Sequence, residues 1–320
     1  MLEKCRKGQW KLDELDWSST PRPMERDEEM AIVQYFTDMA GIERLAGALF
    51  EEQHRRAEDD TLRKIFSTFV ADEERHARAA ERLAKYYDVH RYRTYEMSPT
   101  LVAFRKHFVH AVHFLSAEIA NVYITGGELV LDVALLRSIN DYVHDEMSQR
   151  AMELINRDES RHIAVDYYMT AYYASPKYQE WLAKQPRQAL AERARAIWAF
   201  GNLLLAAKPF FRDVFFQPMA MVDPSGKRLA EAFKRAQLLG AKTEVAARPF
   251  FRFLSFLRDT VQHPWLGPIF GGLAASIAGV PPHLMRDLYT TKEFDRAARM
   301  SYDDLAEEAL AAKRSLPPTA

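Results

Sequence analysis

A single cysteine, Cys5, stands in the whole sequence, which excludes an intramolecular disulfide and any zinc or iron–sulfur site built from several thiolates. Such usage suits a reducing compartment. An excess of charge of one sign is also missing. The 44 Lys and Arg nearly balance the 45 Asp and Glu, so neither a basic bias toward nucleic acid nor an acidic solvating tail is implied. No stretch approaches the ~18 consecutive apolar residues of a membrane-crossing helix, and residues 1–8 lack the apolar run of a signal peptide. The expectation is a cytoplasmic chain with no transmembrane segment and no nucleic-acid partner. Period-two alternation is absent too, so no strand is expected.

What is present suffices for a large core, with 48% hydrophobic and 12% aromatic residues. The pattern predicts an all-α chain in three parts. Residues 1–26, with Trp10, Trp17, Pro21 and Pro23, read as an extended arm laid over a later surface. Residues 27–175 read as a helical bundle, and 176–320 as further helices packed on it. In the first bundle helix Ile32, Phe36, Met39, Glu43, Ala46 and Phe50 recur at spacings of three and four, an amphipathic stripe with a carboxylate in its middle. Glu58 to Thr61 supplies a turn and an N-cap. The second helix carries Leu62, Phe66, Phe69, Glu73, His76, Ala80 and Leu83 on one stripe. After a crossover over Tyr86 to Tyr95, Ser98-Pro99 starts a long third helix with the stripe Phe114, Ala117, Asn121, Ile124, Glu128, Leu131 and Leu135. A turn near Asn140-Asp141 precedes the fourth, where Met152, Ile155, Glu159, His162, Asp166 and Met169 share a face; Ser175-Pro176 ends it.

An internal repeat organises this region. Asp72-Glu73-Glu74-Arg75-His76 returns as Asp158-Glu159-Ser160-Arg161-His162. In each copy Glu and His lie three residues apart, on one face of a helix. Glu43 to Glu128 is 85 residues, and Glu73 to Glu159 and His76 to His162 are each 86. One Glu-x-x-His motif alone is most simply a solvated pair. Two such motifs on apolar stripes, each preceded by a striped Glu, place four carboxylates and two imidazoles inside a bundle. Unpaired carboxylates there would protonate or destabilise the fold, and two divalent cations would balance them. The O/N donor set suits iron or manganese better than zinc. The candidate metal ligands are Glu43, Glu73, His76, Glu128, Glu159 and His162.

Height along the hairpin favours Glu43 over Glu51 and Glu52, since Glu51 would lie roughly 12 Å nearer the turn at 1.5 Å per residue. Glu118 competes with Glu128 because the second turn is less sharply marked. Four further acids are candidates for catalytic roles. Asp72 and Asp158 are placed to accept hydrogen bonds from the distal nitrogens of metal-bound histidines, with Arg75 and Arg161 neutralising them. Asp132 and Asp166, one turn beyond Glu128 and His162, read equally as supporting acids or proton donors and as structural residues. Gly47 and the Gly126-Gly127 pair are candidates for leaving room for substrate, and His107, His110 and His113 for a surface or substrate-side row. Farther on, Ala206-Ala207-Lys208-Pro209-Phe210-Phe211-Arg212 recurs as Ala246-Ala247-Arg248-Pro249-Phe250-Phe251-Arg252, 40 residues later. The simpler reading is two proline-started helices packing aromatics on the bundle; the alternative is a lipid or acyl-chain surface. Turns are expected at 223–226, 264–268 and 280–282.

The paired Asp-Glu-x-Arg-His motifs with their preceding glutamates resemble those of the ferritin-like di-iron carboxylate oxygenases, including bacterial multicomponent monooxygenase hydroxylases and soluble acyl-carrier-protein desaturases. The stretch Gly127-Glu128-Leu129-Val130-Leu131-Asp132-Val133 is similar to the matching region of the AurF-type aryl-amine N-oxygenases. The resemblance covers about residues 28–175. It implies a ferritin-like four-helix bundle with a di-metal core of two irons, with manganese in one site as a variant, and O2 as co-substrate. It further implies an apolar or aromatic small-molecule substrate, free or carrier-bound, and electrons from a ferredoxin or flavin reductase; a homodimer is left open. The chain departs from some relatives. Ile155 stands where the N-oxygenases carry a further histidine ligand, and Ala80 where ribonucleotide reductase carries its radical tyrosine. One cysteine cannot build rubrerythrin's second iron domain. The alternatives are a ferritin-like storage or stress protein that oxidises Fe2+, and an aldehyde-deformylating, epoxidase or desaturase-type enzyme.

Overall fold

A computed structural model describes residues 1–92, 95–186 and 189–315, with side chains at all of these except 137–140 and 313–315. Residues 93–94 of the expected crossover, and 187–188 and 316–320 of the expected C-terminal part, lie outside the described residues. Among the described residues every regular element is a helix. None is long and apolar enough to cross a membrane.

The arm is not extended throughout. It begins with α1 (Leu2–Lys7) and a 3-10 turn at Leu12–Glu14, and it buries Cys5, Trp10 and Leu15. The helix α2 (Arg26–Arg56) opens with Asp27, Glu28 and Glu29 and closes with His54, Arg55 and Arg56, charges that complement its dipole at both ends. A short connection leads to α3 (Asp60–Tyr87), where the Asp59 carboxylate accepts from the Leu62 amide at 2.8 Å. These two helices pack along their length as a hairpin.

The expected long third helix is instead broken. α4 (Pro99–Val112) ends at His113, and α5 (Ala117–Glu128) restarts after Ser116, whose hydroxyl accepts from the Ile119 amide at 3.2 Å. Carbonyls freed at the break are taken up from the neighbouring hairpin: Arg56 donates to Leu115 O and, at 3.2 Å, to His113 O. After Glu128 the backbone widens into a π-helical stretch, Leu129–Leu135, before α6 (Leu136–Val143). The turn expected near Asn140-Asp141 falls later, because α6 runs through that position. It comes at His144, with φ of 48°, and Asp145, which caps α7 (Glu146–Ala174) through the Met147 and Ser148 amides.

Beyond α7 follow α8 (Pro176–Ala183), α9 (Leu190–Phe210), α10 (Gln217–Val222), α11 (Lys227–Leu238), α12 (Thr243–Ala246), α13 (Pro249–Gln262), α14 (Gly267–Ala278), α15 (Thr291–Arg299) and α16 (Tyr302–Ser315). The two copies of the Ala-Ala-Lys/Arg-Pro-Phe-Phe-Arg segment fold differently. Pro249 starts α13, whereas Pro209 lies inside α9, which passes into a second π-helical stretch at Phe211–Phe216. The aromatics of both copies do pack inward, Phe210 stacking on Phe104 at 4.1 Å between centroids and Phe250 meeting Tyr123 at 5.6 Å. One apolar core runs from Cys5 to Ala309, and a small second cluster joins α13 to α14. Around its centre α2 packs on α3 and α5, and α7 on α3 and α5. Those four helices position the acids and histidines described next.

Candidate metal centre

Four helices each deliver a carboxylate to one interior point. Glu43 comes from α2, Glu73 and His76 from α3, Glu128 from the last residue of α5, and Glu159 and His162 from α7. None is more than 3% exposed. Their donor atoms form two overlapping groups, Glu43/Glu73/His76/Glu159 and Glu73/Glu128/Glu159/His162, each within 4.8 Å. Glu73 and Glu159 belong to both, so two cation positions would share two carboxylates. The other acids weighed go elsewhere. Glu51 is exposed, Glu52 pairs with Arg55 and Arg56, and Glu118 lies in the two-pronged grip of Arg248 at 3.0 and 2.9 Å.

Behind the histidines, the two aspartates are arranged crosswise. Asp72, beside Glu73 on α3, faces His162 of α7, with Oδ2 to Nε2 at 3.4 Å. Asp158, beside Glu159 on α7, faces His76 of α3 at 3.2 Å. Each repeat therefore orients the other repeat's imidazole and leaves its Nδ1 turned toward the glutamates. Arg75 bridges both aspartates, and Arg161 does the same at 2.7 Å to Asp158 and 3.3 Å to Asp72. Two aspartates and two arginines are neutral as a layer. Nothing in that layer is left over to offset the four glutamates beneath.

Those glutamates are left largely without hydrogen-bond partners. Both oxygens of Glu43 and of Glu73, one of Glu128, one of Glu159, and His76 Nδ1 are buried without a hydrogen bond. His76 Nδ1 and Glu159 Oε1 approach to 3.0 Å, but not in hydrogen-bonding alignment. Buried acceptors are nearly always satisfied, and these convergent orphans have the donor types and spacing that could hold cations. The electrostatics agree. Burial raises Glu43 well above the usual carboxylate range, and the charge of Glu73 adds to this; burial and Glu159 do the same to Glu128. Glu159 is held well below it, because His162, Glu128 and His76 outweigh its burial. Burial opposes charge on both histidines, yet Asp158 and Glu159 hold His76 well above the ordinary imidazole value, and Glu159 and Asp72 hold His162 there. Without cations the cluster must share protons among its carboxylates.

No family model matches this chain. Neither the curated proteins nor the solved structures compared with it give a match.

Phe50 and Phe69 close one wall, their rings 5.0 and 4.1 Å from the ring of His162. Asp132 is fully buried on the π stretch, and Asp166 is fully buried one turn past His162 with neither carboxylate oxygen hydrogen-bonded. Burial, with the charges of Glu159 and Glu73, raises Asp166 well above its ordinary value against the pull of His162. Neither aspartate falls within the two donor groups. Gly47 does not provide room for a substrate, since a Cβ there would sit 3.2 Å from Glu73 Cβ; it permits the close approach of α2 and α3 instead. Gly126 and Gly127 face open space, with Gly127 on the exposed surface. A cavity of about 10 Å³, lined by Glu118, Asn121, Thr170 and Arg248 among others, lies two helical turns along from Glu128 and His162 and has room for one water. The histidine row stays at the surface, His110 and His113 exposed and His107 half-buried.

Two residues of the arm join the site. Gln9 donates to Asp72 at 2.8 Å and accepts from Arg75 at 2.6 Å, and Trp10 Nε1 donates to Asp158 Oδ2 at 2.8 Å. The Arg75 guanidinium lies over the Trp10 ring at 5.3 Å. Trp10 marks the arm as something that must dock, but its spacing carries no sign of which acid it meets.

Proposed function

We propose that the chain is an O2-dependent oxidoreductase built on a ferritin-like four-helix bundle, with two irons or an iron–manganese pair between α2, α3, α5 and α7. The observation that carries this reading is the set of orphaned, buried carboxylate oxygens converging from four helices over a neutral outer layer. Glu43 and His76 would hold one metal, Glu128 and His162 the other, with Glu73 and Glu159 shared. When bound, the metals supply the redox chemistry toward O2. The chain's own residues do the rest. Asp158 and Asp72 hold the Nε2 protons of His76 and His162, so that both Nδ1 atoms face inward as donors. Phe50 and Phe69 keep bulk water from His162. Asp166, buried and without a hydrogen bond, is placed to hold a proton one turn from the centre.

In this reading the substrate is an apolar or aromatic small molecule and the electrons come from a ferredoxin or flavin reductase. Residues 27–175 form the catalytic unit, with 1–26 as its strap and 176–320 as the extension that selects the substrate. A second reading, a storage or stress protein that oxidises Fe2+ without an organic substrate, is favoured by the close packing of Gly47 on Glu73, which leaves no space for a guest between those two residues. Anaerobic loading with Fe2+ and Mn2+, followed by metal analysis and O2 uptake with a chemical reductant, tests both. Two metals per chain and reductant-dependent O2 consumption are expected. Many irons per chain would transfer the protein to the storage class, and no retained iron or manganese would end the metal reading.

A further inference from the structure

We propose that the face built by α9, α13 and α14 and bordered by α4 docks on the surface of an anionic lipid bilayer. The inference is independent of the metal centre. Ile197, Trp198 and Leu205 on α9, with Trp265, Ile269 and Leu273 at the start of and along α14, are each between 61% and 79% exposed. Large apolar residues scattered singly over a surface need no explanation, but these lie on helices that pack against one another. On α14 the exposed positions Ile269, Phe270 and Leu273, with Leu266 just before the helix, form one stripe, while Gly271, Ala274 and Ala275 face inward. That helix contains no charged residue. Pro264 and Trp265 occupy the exposed turn between α13 and α14, with Pro268 in the first turn of α14, and an amphipathic ring there would sit at headgroup level.

Charge identifies the occupant. The helices α4, α9, α13 and α14 carry seven basic residues (Arg105, Lys106, Arg193, Arg195, Lys208, Arg252, Arg258) against Glu192 and Asp259, a net of 7 − 2 = +5. The whole chain is −1, so all its other residues together carry −6. Arg258 is engaged by Asp259 and Asp287. The other six are exposed and form no ion pair among the described residues, unlike the arginines of the bundle interior. Exposed apolar side chains among free cations match a surface of acyl chains beneath anionic headgroups. A second copy fits less well, since a symmetric contact through this face would set its cations against their own copies.

The test uses the full chain with vesicles of phosphatidylcholine alone and of phosphatidylcholine containing about 30% phosphatidylglycerol, read by co-sedimentation. Binding to the anionic vesicles is expected to be at least roughly tenfold stronger, and to weaken as salt is raised. Two double variants, Ile269→Ser with Leu273→Ser and Arg193→Glu with Arg195→Glu, change only exposed side chains, and circular dichroism checks their fold. Each should reduce vesicle binding about tenfold. The proposal is overturned if the wild-type chain stays in the supernatant with both vesicle types, or if both folded variants bind like wild type. It is equally overturned if the chain is a dimer that Ile269→Ser with Leu273→Ser dissociates while vesicles go unbound, since the face would then belong to a second copy.

Discussion

Replacing Glu43 by glutamine separates a metal centre from an ion-pair network that merely holds the fold. The side chain is fully buried, neither oxygen has a hydrogen bond, and the nearest cationic atom is His76 Nδ1 at 3.9 Å. Its raised pKa has a definite sign. The folded chain holds the carboxyl proton more tightly than the unfolded chain does, so Glu43 costs stability as pH rises above about 4.5 and the cost is present at neutral pH. Glutamine removes that cost and loses only the long contact to His76. The metal-free Glu43→Gln variant should therefore be as stable as wild type or more stable by up to about 2 kcal/mol. A residue that secured the fold by a buried ion pair would instead cost about 3–5 kcal/mol when neutralised. Metal reverses the order. A divalent cation at about 100 times its dissociation constant adds roughly 2.7 kcal/mol per site. Glu43 belongs to only one of the two donor groups, so the variant should keep about half of that gain and about one metal per chain. Urea titrations with and without Mn2+, followed by far-ultraviolet circular dichroism, measure both quantities. A metal-free loss of 3 kcal/mol or more, or a Mn2+ effect unchanged by the substitution, would refute the reasoning.

Three other outcomes are expected. His76 and His162 hold protons more firmly than free imidazole in the metal-free protein, so metal uptake must release protons and affinity should rise as pH is raised beyond the ordinary imidazole value of 6.5; calorimetry in buffers of different ionisation enthalpy would show no proton release if this were wrong. Trp10→Phe removes the hydrogen bond to Asp158 and should cost about 1.5–3 kcal/mol, with metal binding weakened by up to about tenfold because Asp158, which backs His76, loses one of the donors that fix it; unchanged metal affinity would show that the arm does not position the site. Glu293, in the capping box of α15 and paired with Lys234, has its pKa lowered to about 2, chiefly by the Thr290 amide. Its contribution is present above about 4.5 and fades as pH falls toward 2, so urea midpoints of wild type and Glu293→Gln should converge over that window. A constant gap would contradict the sign.

The helical fold and the inward placement of the six polar residues were legible because both depend on spacing along each helix. Glu43, Glu73 and Glu159 interrupt apolar stripes at positions that a three-and-four periodicity assigns to the interior. What escaped was whatever one part of the chain does to another. The periodicity of residues 99–135 continues across 113–116, and the break is visible only once Arg56 is seen to bind the freed carbonyls. Glu118 stayed a competitor of Glu128 because its partner, Arg248, lies 130 residues away. Gly47 looked like space, but it is contact, for the same reason: Glu73 belongs to the next helix. The crosswise pairing of Asp72 with His162 and Asp158 with His76 depends on the relative height of α3 and α7, which no single-helix pattern encodes.

That crosswise pairing makes the two hairpins a clasp with its hook and eye on opposite halves. A fragment ending after α3 would keep Asp72 and His76 but lack the partner of each; a fragment beginning at α4 would be deprived in the same way. Neither half contains a complete aspartate–histidine pair. Because each imidazole is steered from across the seam, a slip of α3 along α7 would turn both rings together, and the geometry of the centre becomes a gauge of how firmly the halves are docked.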